Sequence, residues 1–111
     1  MAKTKLKFVT LETLLEMKAN NEKFKLVEVL SEENFGGGHI PGAVNLPLDK
    51  LEKLAPEKLK KNESIMVYCA SYACHASTRA ARLLLDLGYK KILDYKGGKK
   101  GWIAAGLELE R

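Results

Sequence analysis

Between Phe24 and Leu30 the chain is nearly continuously apolar, with Leu26, Val27, Val29 and Leu30 broken only by Glu28. A strand with one wet face alternates apolar and polar residues, so a run like this one fits a parallel strand covered on both faces. Two similar runs follow, Ile65-Met66-Val67-Tyr68 and Ile92-Leu93-Asp94-Tyr95, and a short strand is bounded by Pro41 and Pro47. Helical signals lie between them. Thr10-Leu11-Glu12-Thr13 has a capping-box pattern and precedes Leu14, Leu15 and Met17 at helical spacing, so the first expected element is a helix near 11–20. Ser31 caps a short turn that ends in Gly36-Gly37-Gly38, a polar helix runs from Leu48 to Leu54, and a separate short turn is expected at Pro56–Lys60. Alanines and leucines recur at helical spacing from Ser77 to Leu87 and stop at Gly88, and a closing helix is expected near Gly98–Ala105. Strands alternating with helices imply an α/β architecture: a central, mainly parallel sheet flanked by helices on both faces.

A chain of 111 residues, 46% of them hydrophobic, suffices for one domain over 1–111 with a single core. It contains no internal repeat, linker or low-complexity segment. No signal peptide is recognisable and no apolar run is long enough to span a bilayer, so the expectation is a cytoplasmic protein without a membrane partner. Two cysteines five positions apart do not make a disulfide framework, and a reducing compartment suits a reactive thiol. The net charge of +5 suits small anionic substrates or acidic partners. No basic stretch is interleaved with aromatics, which argues against nucleic acid.

Cys69 follows the apolar run 65–68 directly and precedes the small-residue loop that leads into the helix near Ser77. In a parallel sheet, ligands bind beyond the carboxyl ends of the strands, so the segments 31–34 and 96–100 should border the same crevice as Cys69. A thiol placed there faces free backbone N–H groups and the positive end of a helix dipole, which would lower its pKa and expose a thiolate nucleophile. Ala70, Ser71 and Ala73 are small enough for the backbone to curl close to the sulfur, and Ser77 is expected to cap the helix. The alternative for Cys69 is a buried, packed thiol. Cys74 either packs inertly against the helix or serves as an auxiliary thiol that attacks a persulfide or closes a reversible disulfide. Cys69, Cys74, His75 and His39 match no common zinc spacing, so no metal is expected, and His75 reads as a loop residue that adds positive potential when protonated.

The segments Gly38-His39-Ile40-Pro41-Gly42-Ala43-Val44-Asn45, Val67-Tyr68-Cys69, Leu87-Gly88-Tyr89 and Gly97-Gly98-Lys99-Lys100-Gly101-Trp102 occur in this order and spacing. Together they resemble a single-domain rhodanese, a sulfurtransferase, over a core of about 10–108. The resemblance implies a rhodanese-like fold and maps the catalytic, persulfide-forming cysteine onto Cys69. It maps the substrate-binding loop onto Ala70, Ser71, Tyr72, Ala73, Cys74, His75, Ala76 and Ser77, with no cofactor. The implied partners are a small anionic sulfur donor, a thiol or cyanide acceptor and a sulfur-relay protein. The thiolate would attack the outer sulfur of thiosulfate, a polysulfide or a persulfide, and convergent N–H groups would hold the negative charge. This loop is about two residues longer than is common in the family and lacks its arginine, while Glu28-Val29-Leu30 stands where Asp-Val-Arg is often found. Two alternatives stay open: a sulfur carrier or binding module of the same fold, and a cysteine phosphatase or arsenate reductase of related fold. The latter uses C-x5-R, whereas the sixth residue after Cys69 is His75 and after Cys74 is Ala80. Trp102 and Gly97-Gly98 read as a packed indole and a tight turn.

Overall fold

The doubly covered apolar runs form the middle of a five-stranded, wholly parallel sheet in the computed structural model, which describes residues 6–111. In chain order the elements are β1 (Lys7–Val9), α1 (Leu11–Ala19), β2 (Lys25–Glu28), α2 (Glu32–Gly36), β3 (Val44–Asn45), a 3-10 turn (Leu48–Lys50), α3 (Leu51–Lys58), β4 (Ser64–Tyr68), α4 (Ala76–Asp86), β5 (Lys91–Tyr95) and α5 (Gly98–Ala104). The strand order is β1-β5-β4-β2-β3, with Val27 beside Val67 and Val67 beside Asp94.

Alternation along β4 divides the core into two layers. Ile65, Val67 and Cys69 pack with Leu51 and Ala55 of α3 and Ala80, Ala81 and Leu84 of α4. Met66 and Tyr68 face the other way, toward Leu14 and Met17 of α1 and Trp102 of α5. Helices therefore cover both faces, as the apolar runs require. Trp102 is buried as expected and donates its indole N–H to the Glu108 carbonyl at 2.9 Å.

Local signals act where they were read. Thr10 Oγ1 accepts from the Thr13 amide and Ser31 Oγ from the Asn34 amide, so each satisfies a free N–H at a helix start. Past α4, the Tyr89 amide reaches the Leu84 carbonyl and the Gly88 amide the Leu85 carbonyl, a paired closure that needs the φ of +100° at Gly88.

Two elements differ from expectation. β1 was not foreseen: it has three residues, Phe8 is exposed, and it exists through its pairing with β5 rather than through a pattern of its own. The segment read as a helix to Leu54 followed by a separate turn is instead one helix, α3, running through Pro56. Proline removes one backbone bond there, yet Leu51 and Ala55 are fully buried and Leu59 nearly so. Packing of that face outweighs the local defect. No helix is long and apolar enough to cross a membrane among the described residues.

Candidate active site

Cys69 is the first residue past β4 and is fully buried. The chain turns back on itself just beyond it, with the Cys74 amide bonded to the Ser71 carbonyl at 3.0 Å, and Cys69 Sγ donates to the Cys74 carbonyl at 3.5 Å. Lys96, directly after β5, donates from Nζ to that same carbonyl at 2.9 Å, with its ammonium 5.9 Å from the Tyr72 ring centre. The start of α5 clamps the loop from the other side. The Lys99 amide bonds the Cys69 carbonyl at 3.1 Å and the Lys100 amide the Ala70 carbonyl at 2.9 Å. Gly98 makes this approach possible: its φ is +62°, and a Cβ there would lie 2.5 Å from the Cys69 oxygen and 2.8 Å from the Ser71 nitrogen. The expected convergence of segment 96–100 on the crevice is thus observed, and segment 31–34 reaches it through Lys99 Nζ, which donates to the Asn34 carbonyl at 2.9 Å.

Ser77 does not cap α4. The capping position is His75, which makes no side-chain cap bond, and Ser77 lies buried inside the first turn. Its Oγ has no hydrogen-bond partner among the described residues, while its hydroxyl and N–H both favour the Cys69 thiolate. That contribution is not enough to lower the Cys69 pKa as expected from the sequence. Burial, followed by the hydrogen bond with the Cys74 thiol, pushes the Cys69 thiol above the ordinary cysteine range. Desolvation outweighs the cradle because the sulfur is sealed under the loop. At Cys74, burial pushes up but is overcome by hydrogen bonds from the Cys69 thiol and the Ala76 and Ala70 amides and by the Lys96 charge. Cys74 is therefore the thiol that ionises first. It is partly exposed, neither sulfur is in a disulfide, and Cys69 Sγ meets the Cys74 main chain.

Of the remaining loop residues, Ala70, Tyr72, Ala73 and His75 are exposed, whereas Ser71 and Ala76 are half-buried. A cavity of about 360 Å³ opens beside the loop between Phe8, Val9, Thr10, Tyr72, His75 and Lys96. Another of about 440 Å³ lies across Tyr72, lined by Ser71, Ala73, Lys100 and Gly101 among others. His39 is not near this chemistry: Nδ1 meets the Phe35 carbonyl at 3.0 Å, Nε2 lies 3.5 Å from Glu110 Oε1, and the ring stacks on Phe35. Among the described residues no three His, Cys, Asp or Glu side chains converge as metal ligands would.

At the end of β2 lies a polar group that the sequence did not reveal. Glu28 is fully buried, accepts the Tyr68 hydroxyl at 2.8 Å through Oε1 and pairs with Lys99 Nζ at 3.0 Å through Oε2. The Tyr68 oxygen in turn accepts the Ile40 amide at 3.1 Å, and burial, above all, raises the pKa of this phenol. A buried pair of this kind costs about 3–5 kcal/mol when one partner is removed. It ties β2, β4 and α5 together on the Tyr68 side of the sheet, one residue before Cys69. The signal was present, since a carboxylate in a run apolar on both faces requires a partner. Asp94 follows the same rule in β5: it is buried and accepts the Thr78 hydroxyl at 2.7 Å.

Residues 10–105 match the rhodanese-like domain family. The chain is 31% identical over 94 residues to the putative sulfur carrier protein YrkF of Bacillus subtilis, covering 85% of this chain and 49% of that protein. It thus spans about half the length of that relative. It is 30% identical over 98 residues to a sulfurtransferase of Allochromatium vinosum, covering 88% of this chain and 89% of the other. The human single domain sulfurtransferase TSTD1 superposes with a TM-score of 0.78 at 25% identity, over 87% of this chain and 95% of that one. With a parallel sheet doubly covered by helices and a cysteine loop at the carboxyl end of its central strand, this chain belongs to the rhodanese-like domain family.

Proposed function

We propose that the protein transfers sulfane sulfur through a persulfide formed on Cys69. The observation that carries this reading is the position of Cys69: a thiol at the end of β4, bent under a loop whose own carbonyls are tied back to α5, with the Ser77 hydroxyl and N–H directed to favour its anion. The thiolate attacks the outer sulfur of the donor, a new S–S bond forms, and sulfite or a thiolate departs. A thiol or cyanide then removes the sulfur. Cys69 has no solvent exposure, so the donor reaches it only when the loop 70–75 gives way. Lys96 and Lys100 around the loop favour anionic donors such as thiosulfate, a polysulfide or a small persulfide. The names of the relatives, a sulfurtransferase and a putative sulfur carrier, support sulfur transfer in general. Turnover with an acceptor separates an enzyme from a carrier. Two free thiols suit a reducing cytoplasm.

The phosphatase alternative finds little support. A phosphoryl group calls for a bidentate guanidinium, and the Arg79 and Arg82 side chains are exposed on α4, whose first turn only begins at Ala76. Intact-mass measurement after incubation with thiosulfate, polysulfide or an organic persulfide is expected to find one added sulfur mapped to Cys69, and Cys69→Ser to lower transfer to the uncatalysed background. Full transfer by that variant, or efficient Cys69-dependent hydrolysis of an aryl phosphate, would overturn the reading.

A further inference from the structure

Cys69 and Cys74 form a pair whose members differ in access. Cys69 is sealed from solvent, while Cys74 is partly exposed, and Cys69 Sγ bonds the Cys74 main chain at 3.5 Å. The turn closed by the Cys74 amide and Ser71 carbonyl folds Cys74 back over Cys69, so that Cys69 Sγ meets the Cys74 carbonyl. Lys96 holds the same stretch of main chain from above. While the loop is closed, a sulfur stored on Cys69 is thus hidden from outside acceptors and lies against the one loop residue that carries a second thiol.

We infer that Cys74 is a resolving thiol, making the protein a reductase of sulfane sulfur that releases sulfide. This rests on the reading of Cys69 as the sulfur acceptor. The Cys74 thiolate attacks Cys69 Sγ, the inner sulfur of the persulfide; the Cys69–Cys74 disulfide forms, and the S–S bond to the outer sulfur breaks. The electron pair of that bond leaves with the outer sulfur as hydrosulfide. The two cysteine sulfurs are oxidised together by two electrons, and the sulfane sulfur is reduced by the same two. Nothing external is consumed in that step. A dithiol reductant then exchanges with the disulfide and restores both thiols, itself becoming a cyclic disulfide. Ready ionisation of Cys74 supplies the nucleophile, favoured after burial is overcome by the surrounding amides and the Lys96 charge.

The test loads the full chain, reduced and then freed of reductant under anaerobic conditions, with benzenethiosulfonate, whose by-product is benzenesulfinate rather than sulfide. Wild-type protein is expected to end two hydrogens lighter, as the Cys69–Cys74 disulfide, with sulfide released in equal amount. Cys74→Ser is expected to hold one extra sulfur on Cys69 and to release none. A wild-type protein that keeps the added sulfur on Cys69, or carries it on Cys74, without sulfide release would overturn the resolving role while leaving the sulfurtransferase reading intact. Failure of both wild type and Cys74→Ser to take up sulfur or release sulfide would overturn that underlying reading, and the resolving role with it. Sulfide release by Cys69→Ser equal to wild type would overturn both as well.

Discussion

The two sulfurs of the loop ionise in an order set by burial at one and by nearby donors at the other. Cys69 lies under the loop, where desolvation comes first and the Ser77 donors only offset part of it. At Cys74, which is partly exposed, two amides and the Lys96 ammonium favour the anion. For an acid, stabilising the anion lowers the pKa and desolvating it raises the pKa, so the order of ionisation is Cys74 and then Cys69. Alkylation by iodoacetamide follows the thiolate. As pH rises, Cys74 is expected to react first, with a midpoint below the ordinary value of about 8.5, and Cys69 to lag with a midpoint above it. Peptide mapping of the alkylated protein over a pH series checks the order; a lower midpoint at Cys69 would reverse it.

At the scale of elements, the site depends on the docking of α5 against the loop after β4. Gly98 is the hinge of that contact, because a side chain there meets the Cys69 carbonyl at 2.5 Å while also forcing a left-handed backbone. The backbone cost for a non-glycine is about 1–2 kcal/mol before any overlap is counted. Gly98→Ala is therefore expected to lose more than about 2 kcal/mol of stability in denaturant unfolding, and to load sulfur on Cys69 far more slowly. Gly36→Ala is the contrast: no atom lies within 4 Å of its added carbon and it ends α2, so its stability should change by less than about 0.5 kcal/mol. Equal effects of the two substitutions would show that the clamp does not shape the site.

The whole molecule adds a field to these local contacts. Its formal charge is +5, and Lys96, Lys99 and Lys100 gather at the carboxyl end of β5. Lys99 is spent on Glu28, which leaves Lys96 and Lys100 to act on a solute approaching the loop. Loading of Cys69 by a dianion such as thiosulfate is expected to slow roughly threefold to tenfold between about 20 mM and 0.5 M salt, because screening shortens the reach of that field. Loading by a neutral trisulfide should barely change. Stopped reactions analysed by mass across a salt series distinguish the two, and an equal salt response for both donors would remove steering from the account.

The sequence by itself determined the layered parallel sheet, since runs apolar on both faces, such as Leu26–Leu30 and Ile65–Tyr68, have no stable place except between two covers. It also determined the helix boundaries at Thr10, Ser31 and Gly88 and the placement of Cys69 at a strand end, because caps and strand-to-loop transitions are written in neighbouring residues. Only the tertiary structure decided that β1 exists, that α3 passes through Pro56, and that Lys99 neutralises Glu28 from the far end of the chain. It alone set the ionisation order of the two thiols. Periodicity reports whether a residue is buried, but the partner it meets there, and hence the charge it carries, depends on which distant segments the fold brings against it.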